Sequence, residues 1–365
     1  TTYMVENLKV HAELSLISDD GLGSEYRISL KSDSLKDTIP EAVADKIKNM
    51  PETENVYATK YTMGELQISK NEFLSEEEWS DYFKYQNQEP YYIQRYDGIC
   101  KQQEDGNYRI KYNVYGYDEA MIEQLRDFIL EGEIQPETIK NNNQVIVTAN
   151  MDGQGNYFFY GKKPGDTITL RVPKTENYTD ELLKFQSGEE NYIEKEFEIA
   201  AIVNRPLAQE KDFLNTEVWK NAQSVIMTGE QMEENFGITD YSFINASPAD
   251  SADAKIVSNQ LLQVIRDVPK AVLQDYTTAI ATQKGYLGQQ QIFFSSIAVI
   301  LLIISLFHIV NSMSHTILTR RREYGIIRAI GITDGGFYKM ILQTGILYGL
   351  LADVFIYLIY NNNWL

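Results

Sequence analysis

The chain has 365 residues and a formal net charge of −19, from 52 acidic and 33 basic side chains, and it contains one cysteine. Residues 289–365 carry a net +2 and the preceding 288 residues carry −21. The acidic part repels nucleic acid and anionic lipid, so we exclude it as a surface for either, and Cys100 alone cannot form an intrachain disulfide. A cationic ligand, or a purely solubilising role for this charge, stays open.

The first 70 residues predict a strand–helix–strand unit of an α+β domain. His11–Ile17 and Tyr26–Lys31 alternate as strands do, on either side of the turn SDDGLGS. A helix is predicted over residues 41–50, since Val43, Ala44, Ile47 and Met50 share one face. The chain is then extended from Asn55, and residues 71–94 predict loops with a short helix.

The middle of the chain predicts further strands around one helix. Residues 108–117 alternate, and Asp118 is a suitable N-cap for a helix over residues 119–130. Three further strands are predicted at Val145–Thr148, Thr167–Val172 and Glu196–Asn204.

After residue 206 the pattern indicates two strands, a helix and a stalk. The strands are Ser224–Thr228 and Tyr241–Asn245, and the polar segment Asp275–Gln291 is the expected stalk. Residues 251–268 predict an amphipathic helix whose apolar face comprises Ala252, Ile256, Leu261, Val264, Ile265 and Val268.

The following apolar run predicts a transmembrane helix within residues 287–319. No residue from Ile292 to Met313 is charged, and about 20 apolar residues suffice to cross a bilayer. A buried helix of a soluble protein would show a polar face, whereas the interior of this run offers only Ser305, His308 and Asn311. Arginines just beyond a span mark the cytoplasmic side, so the large acidic part is expected to be extracytoplasmic, in a multi-pass protein of the cell membrane.

A second apolar run, Ile341–Tyr360, is long enough to return through the membrane, although it contains Asp353. Asp353 is either an intramembrane functional residue or a residue near a water-exposed end. His308 and Asn311 lie one turn apart on the first span, where they either join a helix–helix seam or line a functional path. The chain begins at Thr1 without a signal peptide, so we expect at least one further span before it.

The segment between the two runs carries an ordered motif. Residues 321–331 read Arg-Arg-Glu-Tyr-Gly-Ile-Ile-Arg-Ala-Ile-Gly, which resembles the R-x-E-I-G-I-L-R-A-L-G stretch of the MacB/FtsX-type permeases of ABC transporters. Upstream, four pieces follow the order of that family's periplasmic core domain: VYGYDEAMIEQLRDFILEGEI, QVIVTAN, KPGDTITL and KEFEIAAIVN. Gly132 and Gly165 stand at two of its turns. Gln343 and Asp353 depart from the family pattern.

The resemblance implies a two-lobed extracytoplasmic domain joined to transmembrane helices, in a four-span subunit whose first and fourth spans lie outside this sequence. It places a membrane-near lobe at residues 1–65 and 222–286, and an inserted β-rich lobe at 66–221. The spans follow at 287–319 and 341–360, on either side of a cytoplasmic coupling segment at 320–340. It also implies an ABC ATPase partner and a second permease copy.

The chemistry of the sequence agrees with a subunit that has no catalytic site of its own. No G-x-x-x-x-G-K-[ST] motif occurs, so ATP and Mg²⁺ are expected on a separate ATPase. We expect no metal site, because the three histidines, His11, His308 and His315, lie in no recognisable motif. The cytoplasmic segment is the expected docking site for the ATPase. The expected coupling residues are Arg321, Arg322, Glu323, Tyr324, Gly325, Ile327, Arg328 and Gly331. The alternative to ATPase docking is that the arginines only set topology and contact lipid headgroups.

Three functional hypotheses follow. The first is a permease that transmits ATP-driven motion to its outer domain, for export of, or resistance to, peptides, antibiotics or lipid-linked compounds. The second is a signalling subunit that controls a cell-wall hydrolase or a membrane sensor kinase without transport. The third is an enzyme or adhesin for which the apolar runs are only an anchor.

Overall fold

A computed structural model describes residues 22–32, 34–72, 74–86, 90–151, 156–175, 179–185, 189–207, 223–340, 342–343 and 345–346. The chain divides into two compact units, Thr1–Lys284 and Gly285–Leu365. The predicted strand His11–Ile17, nearly all of the predicted second span, and Asp353 lie outside the described residues.

The first unit contains thirteen strands and most of the helices among the described residues. The strands are β1 (Tyr26–Leu30), β2 (Thr53–Ile68), β3 (Cys100–Gln102), β4 (Tyr108–Tyr117), β5 (Ile129–Gly132), β6 (Gln144–Thr148), β7 (Asn150–Met151), β8 (Tyr157–Phe158), β9 (Thr167–Pro173), β10 (Tyr192–Val203), β11 (Ser224–Thr228), β12 (Phe243–Pro248) and β13 (Ala271–Asp275). Among the described residues, the α-helices are α1 (Glu41–Lys48), α2 (Glu76–Gln86), α3 (Pro90–Tyr96), α4 (Glu119–Gln124), α5 (Pro136–Asn141), α6 (Gly229–Phe236), α7 (Ala254–Val264), α8 (Thr277–Thr319) and α9 (Arg321–Ala329). Residues 334–340 form a further helical segment, and 3-10 turns lie at Leu125–Phe128, Asp180–Leu183 and Glu189–Asn191.

Most of these strands belong to one large sheet. Four antiparallel strands, in the order β13-β1-β12-β2, form one end of it. The helices α1 and α7 contribute to its core, where Ile47 and Leu261 are buried in one cluster with Ile28 and Ile244. The predicted apolar face of α1 is confirmed at Val43, Ala44 and Ile47.

The predicted face of α7 is partly wrong. Ile256 is 56% exposed, and the neighbouring Val257 is buried with Leu261. The side chain of Asp253 caps the helix by accepting from the backbone amides of Lys255 and Ile256. Ile256 therefore lies in the first, solvent-facing turn, and the buried stripe begins one residue later.

Six strands, with β2 among them, form a closed ring of pairings. Beginning and ending with β2, the ring runs β2-β9-β10-β6-β11-β4 and back to β2. The pairs β6–β10 and β4–β11 are parallel, and the other pairs of the ring are antiparallel. Buried aliphatic and aromatic side chains fill a second, larger cluster. Strand β2 has 16 residues and belongs to both groups of strands, so one continuous element joins the two clusters.

Three charged side chains on neighbouring strands of the ring form a buried cluster. The carboxylate of Glu65 accepts hydrogen bonds from Lys111 Nζ at 2.6 Å and from an Arg171 Nη at 3.1 Å. All three side chains are at most 4% exposed. Burial lowers the pKa of the Lys111 ammonium, and the Glu65 carboxylate beside it acts in the opposite direction. Aromatic rings cover both cations, because Lys111 lies over Phe185 and Arg171 over Tyr192.

The helix expected over residues 119–130 is shorter than predicted. Asp118 does cap it, accepting from the amide of Met121 at 2.9 Å, but the α-helix ends at Gln124. A 3-10 turn and strand β5 follow, and β5 pairs with β10. Gly132 ends β5 with φ +91°, and a Cβ there would lie 2.3 Å from the carbonyl oxygen of Ala200. The pairing of β5 with β10, which needs a glycine at this close approach, therefore replaces the last part of the predicted helix.

Other segments contain more regular structure than the sequence predicted. Residues 71–94 include α2 and the start of α3, and β13 was not predicted. The predicted stalk is helical from Thr277 onward, where Asp275 accepts from the amide and hydroxyl of Thr277. A helix is compatible with that composition because Gln, Ala and Leu are good helix formers and the segment contains no proline.

The lobe boundaries implied by the resemblance remain a prediction. The buried clusters divide the chain at somewhat different places, because Val225–Phe236 packs in the larger cluster and the smaller one resumes at Ile244. The domain is a mixed α/β structure, as the α+β prediction required in outline.

Candidate coupling segment

The helix before the motif has the length and composition of a membrane span. Within α8, the candidate span Gly288–Thr319 contains an 18-residue stretch with a mean hydropathy of 2.6, and none of that stretch is buried. Large apolar side chains such as Leu302 and Phe307 are 62% and 69% exposed. His308 and Asn311 are also exposed, on one groove of the helix surface with Ile304.

The helical chain that contains the motif is interrupted at Arg320. Helix α8 ends at Thr319, Arg320 has φ −97° and ψ 22°, and α9 begins at Arg321. The hydroxyls of Thr316 and Thr319 donate to the carbonyls of Ser312 and His315, four residues earlier. Such bonds loosen the last turn of a helix. The interruption is a local turn, because the amides of Arg320 and Tyr324 still donate to the carbonyls of Thr316 and Arg320.

Gly331 ends α9 in a Schellman motif. Its φ is +101°, its amide donates to the carbonyl of Arg328 at 3.1 Å, and the amide of Ile332 donates to Ile327 at 3.5 Å. A glycine tolerates this backbone conformation, in which any other residue is strained. Gly331 therefore allows the chain to turn after the motif.

Two other motif residues contact the helical segment 334–340 that follows. Arg328 donates from Nη2 to Asp334 Oδ1 at 2.7 Å, and its guanidinium lies 5.1 Å from the ring centre of Phe337. The ring of Tyr324 meets Phe337 edge-on, with centres 5.4 Å apart. Tyr324 and Ile327 are half-buried. These side chains stabilise the turn within the segment.

The opposite side of α9 presents a mixed apolar and basic stripe, Arg322, Ile326 and Ile330. Spacing of four residues places the three on one helical face. Ile326 is 62% exposed and Ile330 is 81% exposed, and Arg322 is exposed as well. Arg321, Glu323 and Gly325 are also exposed. The sequence reasoning missed Ile326 and Ile330, although the i, i+4 spacing with Arg322 was a usable signal.

The predicted coupling residues therefore fall into two groups. Tyr324, Ile327, Arg328 and Gly331 shape the turn, whereas Arg321, Arg322, Glu323 and Gly325 face solvent. Within the described part of the chain, no group of three or more His, Cys, Asp or Glu side chains is placed to hold a metal ion.

Comparison with known proteins adds an assignment for this part of the chain. Residues 295–359 match the family model described as FtsX-like permease C-terminal. The predicted FtsX-type permease segment is thereby confirmed for this part of the chain. No curated protein matches the chain.

Two solved structures are among those similar to the chain. The periplasmic region of MacB from Actinobacillus actinomycetemcomitans has 9% sequence identity and a TM-score of 0.40, over 74% of this chain and 98% of that one. The extracellular domain of the noncanonic ABC-type transporter YknZ from Gram-positive bacteria has 9% identity and a TM-score of 0.37, over 69% and 100%.

Proposed function

We propose that this chain is a permease subunit of an ABC transporter, worked by a separate ATPase that binds ATP and Mg²⁺. The observation that carries the proposal is the exposed stripe Arg322–Ile326–Ile330 on a short helix that directly follows a span-length apolar helix. Apolar side chains beside an arginine are typical of protein-binding surfaces. The match of residues 295–359 to FtsX-like permeases supports the same function.

In this proposal, α8 crosses the membrane and the coupling segment lies in the cytoplasm. The arginines Arg320, Arg321 and Arg322 directly follow the apolar stretch, as the positive-inside rule requires of a cytoplasmic end. The acidic first unit is then extracytoplasmic. Helix α8 is continuous from Thr277 to Thr319. It therefore connects the cytoplasmic coupling segment directly to the extracytoplasmic unit.

The turn contacts make the coupling segment suitable for transmitting movement. The Schellman turn at Gly331 and the contacts of Arg328 and Tyr324 with Phe337 tie α9 to the next helical segment. Movement of α9 by an ATPase would therefore move both helices of the segment together. The output we propose is export of, or resistance to, peptides, antibiotics or lipid-linked compounds by a dimer of permeases with an ATPase.

Substitutions on the exposed stripe test the docking surface without breaking the turn. In the full chain coexpressed with the ATPase of its own cell, Arg322→Glu and Ile326→Ser should reduce copurified ATPase and ATP hydrolysis at least about tenfold, equivalent to roughly 1.4 kcal/mol. Matched controls are Lys339→Glu and Tyr338→Ser, which change exposed residues of the same kinds outside the stripe. Unchanged copurification of both stripe variants would refute the docking assignment.

The same preparation separates the proposed output from its alternatives. Reconstituted vesicles of the wild-type complex should move a labelled peptide or lipid-linked compound only with ATP. ATP-dependent activation of a hydrolase or sensor kinase without such movement would instead support the signalling hypothesis. An anchored enzyme or adhesin would copurify with no ATPase.

A further inference from the structure

A cavity of about 420 Å³ lies between helix α2 and the hairpin of β3 and β4. Glu76, Ser80 and Phe83 line it from α2, at the i, i+4, i+7 spacing of one helical face. Gln102 and Tyr108 line it from the hairpin, where they pair directly across β3 and β4. The volume lies within the range of roughly 300–1,000 Å³ that is typical of small-ligand pockets.

Aromatic side chains form one wall of the cavity and hold α2 against the hairpin. Trp79 is 1% exposed and stacks on Tyr108, with ring centres 4.3 Å apart. Phe83 lies one turn further along α2, with its ring centre 5.2 Å from that of Tyr108. The ring of Phe83 is only half-buried, and it lines the cavity. Aromatic rings at a cavity wall attract cations through their electron-rich faces.

The carboxylate of Glu76 is available to a ligand at this wall. In the same turn of α2, Glu78 is engaged by Ser75, whose amide and hydroxyl donate to it at 2.8 and 2.7 Å. Glu76 makes no hydrogen bond or ion pair within the described part of the chain. Burial raises the pKa of the Tyr108 hydroxyl, and the Glu76 carboxylate acts in the same direction, so the two groups lie within electrostatic reach of each other.

Gln102 adds a hydrogen-bond acceptor to the lining. Its Nε2 donates to the carbonyl of Gly106 at 3.3 Å and to the hydroxyl of Tyr108 at 3.4 Å, which leaves Oε1 as an acceptor. A carboxylate, an amide oxygen and aromatic rings together match a flat cation with several N–H donors. A guanidinium has five such donors in one plane and stacks on aromatic rings, whereas an ammonium is a compact, strongly hydrated charge.

We propose that the cavity binds the guanidinium of an arginine side chain presented by a peptide. The guanidinium donates to Glu76 and to Oε1 of Gln102, and it lies against the ring of Phe83. The net charge of −21 on residues 1–288 attracts such a cation. No cationic residue occurs in the described lining to receive the α-carboxylate of free arginine, which favours an arginine within a peptide. The site lies in the first unit and its occupancy does not depend on an ATPase, so it goes beyond the proposed function.

Ligand-observed NMR titration of the full chain in detergent, with N-acetyl-arginine amide as the probe, tests the site. We expect saturable 1:1 binding, weakened at least about tenfold by Glu76→Gln. Glu77→Gln is the matched control, because Glu77 is an exposed carboxylate in the same turn of α2 and lies outside the described lining. Equal weakening by both substitutions would mean attraction to the overall negative charge alone and would overturn the site. No binding at about 10 mM probe would also overturn it.

Modified probes test the chemical class of the ligand. N-acetyl-citrulline amide has the same shape without the charge and should bind at least about tenfold more weakly. N-acetyl-lysine amide carries its charge as an ammonium and should also bind more weakly than the arginine probe. Equal affinity for either of these probes would overturn the guanidinium assignment. Free arginine that binds as tightly as the blocked probe would overturn the peptide source.

Two further variants test the remaining contacts. Phe83→Leu keeps the apolar bulk and removes the ring, so it should weaken binding of the arginine probe at least about threefold. Gln102→Leu removes the acceptor and should weaken binding by a similar factor. Gln103→Leu is its matched control, because Gln103 is the neighbouring glutamine and lies outside the described lining. Unchanged affinity in Phe83→Leu, or equal affinity in the two glutamine variants, would overturn the corresponding contact.

Discussion

Arg328 and Asp334 close the turn after the permease motif, with Nη2 donating to Oδ1 at 2.7 Å. The pair joins α9 to the helical segment 334–340 of the same unit, and Phe337 lies beneath the guanidinium. A basic residue that sequence reasoning assigned to a partner is thus satisfied within its own segment. The surface left for a partner is the stripe Arg322–Ile326–Ile330.

Arg328→Gln is expected to loosen the segment. Because the pair is exposed, we expect a loss of only about 1 kcal/mol from the ion pair and the ring contact together, or roughly fivefold faster amide exchange. Hydrogen exchange of the full chain in detergent measures this over residues 321–340. Arg321→Gln is the matched control, because Arg321 is exposed. Equal protection in both variants would contradict the structural role of Arg328.

Gly331→Ala should destabilise the same turn by about 1–2 kcal/mol, because φ is +101° at this position. Gly335 provides the control, since a Cβ there meets nothing within 4 Å and its φ is not positive. Alanine at position 335 should leave the local stability unchanged or raise it by about 0.5–1 kcal/mol. Exchange rates of the amides near residue 331 distinguish the two variants, and a neutral Gly331→Ala would contradict the strained turn.

Asp118→Asn should stabilise the domain at neutral pH and have little effect in acid. Burial raises the pKa of the Asp118 carboxyl above its ordinary value of 3.8, while its bond to the Met121 amide acts in the opposite direction. The folded state then binds more protons than the unfolded state between the two pKa values, so stability falls as the pH rises through that window. Asparagine keeps the capping oxygen without the charge. Urea unfolding of both chains at several pH values checks this, and a constant difference would refute it.

Glu65→Gln should lower the free energy of unfolding by about 3–5 kcal/mol, because two buried cations lose the carboxylate that they share. Lys111→Met is the informative comparison. It removes one buried cation and leaves the pair between Glu65 and Arg171, so the expected loss is smaller. Denaturant unfolding followed by tryptophan fluorescence measures both variants. A larger loss for Lys111→Met would show that the carboxylate does not organise this cluster.

Cys100 should resist alkylation in the folded chain. The side chain is 1% exposed, and burial raises the pKa of its thiol, which disfavours the reactive thiolate. Iodoacetamide at pH 8 should label the native chain far more slowly than the chain in concentrated urea, as mass spectrometry would show. Rapid labelling of native chain would mean that β3 opens readily.

Much of the fold followed from short-range patterns. Strand-like patterns located β4, β6, β9 and β11 within a few residues, and one helical face was right in α1. The apolar run of α8 and the motif after it could be read directly, since neither depends on distant contacts. The strand that replaced the end of the predicted helix after Gln124 could not, because its pairing with β10 involves residues about 70 positions away.

Composition, length and i, i+4 spacing are local properties, so the acidic first unit, the span-length helix and the order of the permease motif could be read from the chain alone. The tertiary structure determines which motif side chains are available to a partner, because Tyr324 packs against Phe337 and Arg328 pairs with Asp334. It also brings the α2 face that carries Phe83 to Tyr108 of β4. That contact depends on packing between segments far apart in the chain, which no stretch of the sequence encodes alone.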